Sequence, residues 1–302
     1  MKKRIFIVLL AAFFVSFVLS PFISRAQQSG IQISPVTFNY EINPGESESG
    51  KITVTNLNSE ELIYICEKEN FTGVSDEGAP VYATGALNEG VTGLSDWIEF
   101  DSNKEGKIVP KESKEISFTI AVPKGAEPGG HYAAVFAKEI KKNAEGKTEL
   151  GVASRVGALV LVSVPGDVTR GAKIIETKIS KFVWKSPNLF TMKVEDTGTV
   201  HYDSKAEVVL KPLLGKNQTV DMGTHTLLPK STRSFEGTWQ NKYPFGYYKV
   251  TASAQDGDKN SVSVGSYIIA IPLIIAIPLL AVILIIIIII RHVKRNYKVV
   301  SR

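Results

Sequence analysis

Four histidines, a single cysteine and 30 carboxylates are the groups of this chain that could do chemistry. His131, His201, His225 and His292 are scattered, and none has a second histidine at metal-ligand spacing. Cys66 stands alone, which excludes an internal disulfide framework and any cysteine-based zinc cluster. In Tyr64-Ile65-Cys66 it is expected to pack as a small apolar residue of a strand, with a free reactive thiol as the competing reading. No Gly-x-Ser-x-Gly elbow, Walker loop or Gly-x-Gly-x-x-Gly turn is present. Glycoside hydrolysis needs two facing carboxylates, but Asp76, Glu77 and Glu89 lie in a glycine-rich stretch that reads as a solvated acidic loop. Asp256-Gly257-Asp258 reads as a hairpin turn rather than a calcium loop. His131, in Pro128-Gly129-Gly130-His131-Tyr132, reads as an exposed turn histidine. Asn70-Phe71-Thr72 and Asn217-Gln218-Thr219 are sequons that matter only in a eukaryotic secretory route. The expectation is a non-catalytic protein with no cofactor and no metal, whose ligand-binding residues are unassigned.

Charge sorts the chain by position. The 302 residues carry 35 Lys and Arg against 30 Asp and Glu, a formal +5. Nine of the basic residues sit in 1–26 and 291–302, where there is no acid, so residues 27–290 carry 26 basic against 30 acidic and are net −4. That balance argues against nucleic acid as a partner. Lys138, Lys141, Lys142 and Lys147 read as a solvated hairpin tip. Both basic ends flank apolar runs, which makes them membrane signals.

Residues 1–26 read as a signal peptide. Lys2-Lys3-Arg4 is the charged start, Ile5–Val18 the apolar segment, and Ser24-Arg25-Ala26 the cleavage site before Gln27. Residues 267–290 form a second apolar run of 24 residues, which as a helix rises roughly 36 Å against a hydrocarbon core of about 30 Å. It reads as one transmembrane helix, with Pro272 and Pro278 kinking its first half. Arg291, Lys294 and Arg295 then place the tail, 291–302, in the cytoplasm and the N-terminal part outside the cell membrane, a single-pass type I layout.

The part between the runs is all-β. Short alternating segments such as Ile31–Ile33, Lys51–Thr55, Leu62–Cys66, Glu115–Val122, His131–Glu139 and Val156–Val164 are separated by turn residues. A second set comprises Lys173–Trp184, Leu189–Glu195, Ala206–Leu210, Ser234–Gln240, Tyr247–Ala254 and Ser261–Val264. Two antiparallel β-sandwich domains follow, 27–166 and 167–266. A faint repeat links them: Val109-Pro110-Lys111 and Leu228-Pro229-Lys230 each precede a strand, a Pro-x-Gly-x-Tyr turn (128–132 and 244–248) and an apolar strand. Tyr248, Val250, Ala252 and Ala254 should face a core, and Tyr247, Lys249, Thr251 and Ser253 water. Phe71–Asp96 reads as a long connection, and Trp97 as a core anchor with Ile98 facing outward.

Several of these segments resemble the first domain of the WxL-interacting proteins, surface proteins of Gram-positive bacteria. They are Ile31–Pro35, Asn43-Pro44-Gly45, Ile52–Asn56, Trp97-Ile98, and Val122-Pro123 with Pro128–Tyr132. The resemblance covers about residues 31–165; residues 172–265 are similar in layout only. It implies an immunoglobulin-like fold, peptidoglycan binding by the first domain and host-protein binding by the second, and it carries over no catalytic residue. Two function classes stay open. One is a membrane-anchored surface adhesion protein recognising peptidoglycan or a cell-surface protein. The other is an extracytoplasmic assembly scaffold or chaperone-like protein that binds partners by β-strand addition.

Overall fold

The computed structural model describes residues 30–82, 93–101, 104–140 and 154–296. The signal segment, Glu89, Lys141, Lys142, Lys147 and the tail beyond residue 296 lie outside them.

Two immunoglobulin-like β-sandwiches follow one another, and an apolar helix follows the second. In the first, β1 (Ile31–Ser34), β3 (Ser47–Asn56), β8 (Ser113–Ala121) and β6 (Ile98–Phe100) form one sheet in the order β1-β3-β8-β6. The facing sheet runs β2 (Thr37–Glu41), β10 (Arg155–Val164), β9 (Gly129–Glu139), β4 (Leu62–Val74), β5 (Pro80–Tyr82), and β7 (Glu105–Ile108) also pairs with β4. A four-residue helix, α1 (Leu94–Trp97), leads into β6. In the second sandwich, β11 (Ala172–Lys178), β13 (Asn188–Asp196) and β16 (Thr232–Trp239) form one sheet. The other runs β12 (Phe182–Val183), β18 (Ser261–Ala270), β17 (Gly246–Gln255), β14 (Tyr202–Pro212), β15 (Gln218–Leu227).

The topology repeats. β1 on β3, β3 on β8, β4 on β9 and β9 on β10 recur as β11 on β13, β13 on β16, β14 on β17 and β17 on β18. Two short pairings depart from the antiparallel expectation: β2 runs parallel to β10, and β12 parallel to β18. Each arises where the first strand of a sandwich crosses to the opposite sheet; in the first, the crossing falls at Pro35, which has no N–H to give a ladder. The repeated Pro-Lys turns are alike in detail. Lys111 and Lys230 both take left-handed backbone (φ 65° and 59°), and their N–H groups donate to Asn56 O and Asp196 O at 2.9 and 3.0 Å. Gly129 and Gly246, at φ 131° and 102°, are the first residues of β9 and β17, which start inside the Pro-x-Gly segments, and this conformation favours glycine.

Each sandwich has its own core, centred on Ile52, Tyr64, Phe118 and Val160 in the first and Phe190, Met192, Val208 and Phe235 in the second. Gly50 pairs with Phe118 across the ladder, and the Phe118 ring fills the space a side chain would need, with a Cβ landing 2.2 Å from it. Tyr248, Val250, Ala252 and Ala254 are buried while Tyr247 and Lys249 are exposed, as the alternation predicts. In β9 and β10 the alternation is lost because both faces are covered. Ala133, Val135 and Val160 face the first core, whereas Ala134, Phe136 and Leu161 pack with Phe71 and Val74 of β4 and with Leu228 of the second sandwich.

Four expectations are corrected. Ile98 is buried, not outward, because α1 ends at Trp97 and resets the alternation. Phe71–Asp96 is not one loop: β4 continues to Val74 and turns back as β5. β2, β7 and β15 were not legible; β2, Thr-Phe-Asn-Tyr-Glu, is nowhere fully buried. The apolar run divides, since Tyr267–Ala270 completes β18 with Ile268 and Ala270 buried, and α2 (Leu273–Asn296) begins only at Leu273. α2 is long and apolar enough to cross a membrane, contains Pro278, and leaves its apolar stretch unburied among the described residues. Its charge-free part, 273–290, rises roughly 27 Å, close to the core thickness.

Candidate binding site

The start of β9, α1 and the far half of β4 enclose a cleft of about 360 Å³. Its geometry begins at Gly93. A Cβ there would lie 2.2 Å from Asn70 Nδ2, so only glycine lets the chain pass beside that amide. Asn70 Oδ1 then accepts the Ser95 N–H at 2.8 Å, and Asp96 accepts the Gly93 N–H at 3.0 Å, which fixes the helix turn. The turn buries Trp97 with its ring 4.5 Å from that of His131, tilted by 46°. His131 Nε2 lies 2.9 Å from Glu127 O and donates to it. Phe71 and Tyr132 pack ring to ring at 5.7 Å. Trp97 Nε1 is buried with no hydrogen-bond partner among the described residues.

His131 is therefore not a turn residue. It lies in β9, half-buried, because the strand begins at Gly129 rather than after the turn. Asn70 acts inside the fold as an acceptor, whatever its sequon. Trp97, His131 and Asn70 meet here although the sequence offered no reason to group them. The walls are aromatic and apolar, with peptide groups and one amide between them. The cleft is lined by one carboxylate, Glu127, so the pair required for glycoside hydrolysis is not assembled in it. No group of three or more His, Cys, Asp or Glu could hold a metal among the described residues. Such a cleft suits a neutral, hydrogen-bonding ligand with an apolar face.

The cleft floor is pinned by the second sandwich. Gly130 N–H donates to Thr199 O at 2.9 Å, and Tyr132 Oη accepts the His201 N–H at 3.1 Å. His201 Nε2 lies 2.8 Å from Asn39 Oδ1, and burial pushes the imidazole down to about 4. Burial also drives the Tyr132 hydroxyl well above its ordinary value. At the other side of the seam Asp76 O accepts the Ser234 N–H at 2.9 Å, and the Asp76 carboxylate meets Lys193 Nζ at 2.5 Å. Asp76 is thus a seam residue, not part of a solvated acidic loop. The two sandwiches are joined by an apolar cluster and by hydrogen bonds at both ends of it.

The remaining singled-out residues are structural. Cys66 is buried, and burial pushes its thiol up to about 12, which fits a packed side chain rather than a reactive one. The His225 ring lies 4.9 Å from Phe235, and burial and then Arg233 lower its pKa. Asp256 forms the β17–β18 hairpin by accepting the N–H groups of Asp258 and Asn260.

A second feature is an open sheet edge. Leu159 N–H donates to Val36 O, so the odd-numbered residues of β10 aim their backbone groups toward β2. β2 accompanies β10 only over Leu159–Ser163. At Arg155 and Gly157 no strand stands beside that edge among the described residues. Arg155 is held over the Phe136 ring, 3.5 Å away, and reaches Glu69 at 2.6 Å, leaving the backbone edge uncovered by its side chain.

No family model and no curated protein matches the chain. Solved structures with a similar arrangement include a chaperone–tip adhesin complex of CFA/I fimbriae biogenesis, at TM-score 0.39 and 14% identity, covering 80% of this chain and 99% of that one. The E. coli chaperone DraB gives 0.36 and 11%, covering 79% and 98%. The CsuC–CsuE chaperone–tip adhesion subunit pre-assembly complex of Acinetobacter baumannii gives 0.36 and 11%, covering 80% and 100%. At these identities the likeness concerns the fold alone.

Proposed function

We propose that this chain is a non-catalytic scaffold held in the cell membrane by α2, which presents its two sandwiches outside and binds an extended segment of a partner surface protein by β-strand addition. The observation that carries this reading is the β10 edge at Arg155 and Gly157, beside which no strand stands among the described residues. A strand laid there would continue the line of β2 and satisfy the backbone groups of Arg155 and Gly157. The seam supports it, because a scaffold that hands on a partner needs its two sandwiches held in fixed relation. Arg291, Lys294 and Arg295 at the end of α2 support a cytoplasmic C-terminus. A photoreactive residue at Arg155 should capture a neighbouring surface or membrane protein in cells, and one at exposed Lys205 should not. Equal capture from both positions, or none from Arg155, overturns the proposal.

The cleft favours a second reading, recognition of peptidoglycan, since its mix of aromatic walls and amide groups suits a sugar or short peptide. Retention of the full chain, solubilised in mild detergent, on isolated cell wall should then fall at least fivefold in His131→Ala. Unchanged retention removes the cleft from any such role.

A further inference from the structure

The register of the second sandwich puts four loops at one end of the fold. Pro212 pairs with Tyr248, Gly246 with Ala270, and Asn188 with Trp239, while β12 ends beside Ala270. Residues 184–187, 213–217, 240–245 and 271–272 therefore share that end. The first sandwich lies at the opposite one, where Thr199 and His201 meet it. The helix begins at the shared end with almost no slack: Ile271 N–H donates to Val183 O at 2.9 Å and Leu273 N–H to Trp184 O at 3.3 Å.

This end carries large apolar side chains that none of the described residues covers. Leu213 and Leu214 are 79% and 88% exposed, and Phe182, Trp184, Tyr243 and Phe245 are each more than half exposed. Phe182 and Trp184 stack on each other, and Lys181 and Lys242 lie over Tyr267 and Tyr243. The charge there is of one sign. Lys181, Lys185, Lys211, Lys216, Lys242 and Lys249 are all exposed, and no acid occurs between Glu176 and Glu195, Glu207 and Asp221, or Glu236 and Asp256, nor after Asp258.

We infer that this end of the second sandwich is a membrane-docking surface whose occupant is the outer leaflet of the bilayer that α2 crosses, with aromatic and leucine side chains at the interfacial level and the lysines on anionic headgroups. The inference rests on α2 spanning that bilayer. The occupant follows from chain continuity, since a helix that starts two residues after β18 cannot hold this end away from the lipid. It also follows from charge, because an all-lysine rim is complementary to anionic headgroups, and from composition, because Trp and Tyr favour the interface. Docking here would set the first sandwich, with its cleft and open edge, at the far end from the membrane.

The test uses the full chain in lipid nanodiscs containing bromine-labelled lipid with the label near the headgroup. Trp97 and Trp239 are buried, so the difference between the chain and Trp184→Phe reports Trp184. The expected result is at least twofold quenching of the Trp184 signal by the brominated lipid, shielding from aqueous iodide, and a stronger effect in phosphatidylglycerol than in phosphatidylcholine discs. The double variant Leu213→Asp, Leu214→Asp, at positions exposed enough not to disturb folding, should at least halve the lipid quenching with an unchanged melting temperature. A chain that inserts but leaves Trp184 open to iodide and untouched by the brominated lipid overturns the docking surface while sparing the span. A chain whose helix fails to enter the disc overturns both.

Discussion

Replacing Asp196 by asparagine is expected to stabilise the second sandwich at neutral pH and to do little at pH 4. Asp196 is the counterpart of Asn56 in the repeat. Both accept the N–H of a left-handed lysine on their backbone oxygen, and both use side-chain Oδ1 to accept an N–H two residues on, from Gly198 at 2.6 Å and Asn58 at 2.9 Å. The other side-chain atom differs. Asn56 Nδ2 donates to Glu60 O and Ile108 O at 2.8 and 3.0 Å, whereas Asp196 Oδ2 is buried with no hydrogen-bond partner among the described residues. Burial pushes the Asp196 carboxyl from 3.8 up to about 6, opposed by the Gly198 N–H. At about 1.36 kcal/mol per pH unit, that difference is worth about 3 kcal/mol. The raised value means that the fold favours the protonated acid, so this contribution is present below 3.8 and lost as pH rises through 6. Asparagine is neutral throughout, so it carries no charge for burial to penalise, and it keeps an Oδ1 to accept the Gly198 N–H. Thermal unfolding of the full chain in detergent micelles, followed through buried Trp239, should show the variant melting roughly 10 °C or more higher at pH 7.5, at 4–8 °C per kcal/mol for a sandwich of this size. The gain at pH 4 should be small. An equal gain at both pH values, or none at pH 7.5, would refute the reasoning.

Other outcomes follow from the same structure. Because burial lowers His201 from 6.5 to about 4, the neutral ring is favoured; its contribution is whole above 6.5 and is lost as pH falls through 4. This slope opposes that of Asp196, so urea midpoints of the Asp196→Asn chain should rise between pH 4 and 6.5 more steeply than those of the original. Leu228→Ala should cost about 2–3 kcal/mol by leaving a cavity in the seam cluster, and calorimetry should then resolve two transitions closer to independence. Gly93→Ala should cost about 1–3 kcal/mol by forcing its Cβ onto the Asn70 amide, with near-ultraviolet dichroism reporting a displaced Trp97. A chain ending at residue 265 removes Ile268 and Ala270 from the core and should be markedly less stable in denaturant than one ending at residue 271.

How far the sequence could be read depended on where the physics is local. Alternation placed Tyr248, Val250, Ala252 and Ala254 on the core face because one side of β17 is solvated. It misplaced Ile98 because a single helical turn shifts the phase by one residue, and nothing in Gly93–Trp97 announces that turn beyond its Asp96. It merged Tyr267–Ala270 with the membrane run because a buried strand and a lipid-facing helix use the same residues. The turns around Lys111 and Lys230 were legible as a repeat, but their hydrogen bonds to Asn56 and Asp196 were not, since those partners lie on distant strands. The cleft was not legible for the same reason: Asn70, Trp97 and His131 come from three elements whose meeting is decided by sheet order. The double burial of β9 and β10 was not legible, since both read as one-sided alternating strands and its cause, the second sandwich leaning on the outer face through Leu228, depends on the seam.

The open edge of β10 is tested most directly by amide hydrogen exchange at Gly157 in membranes prepared with and without the cross-linked partner. Strand addition predicts that the Gly157 and Arg155 amides exchange rapidly in the free chain and slow at least tenfold when the partner is bound, while amides of β17 are unaffected. Unchanged exchange at Gly157 with the partner demonstrably attached would contradict it.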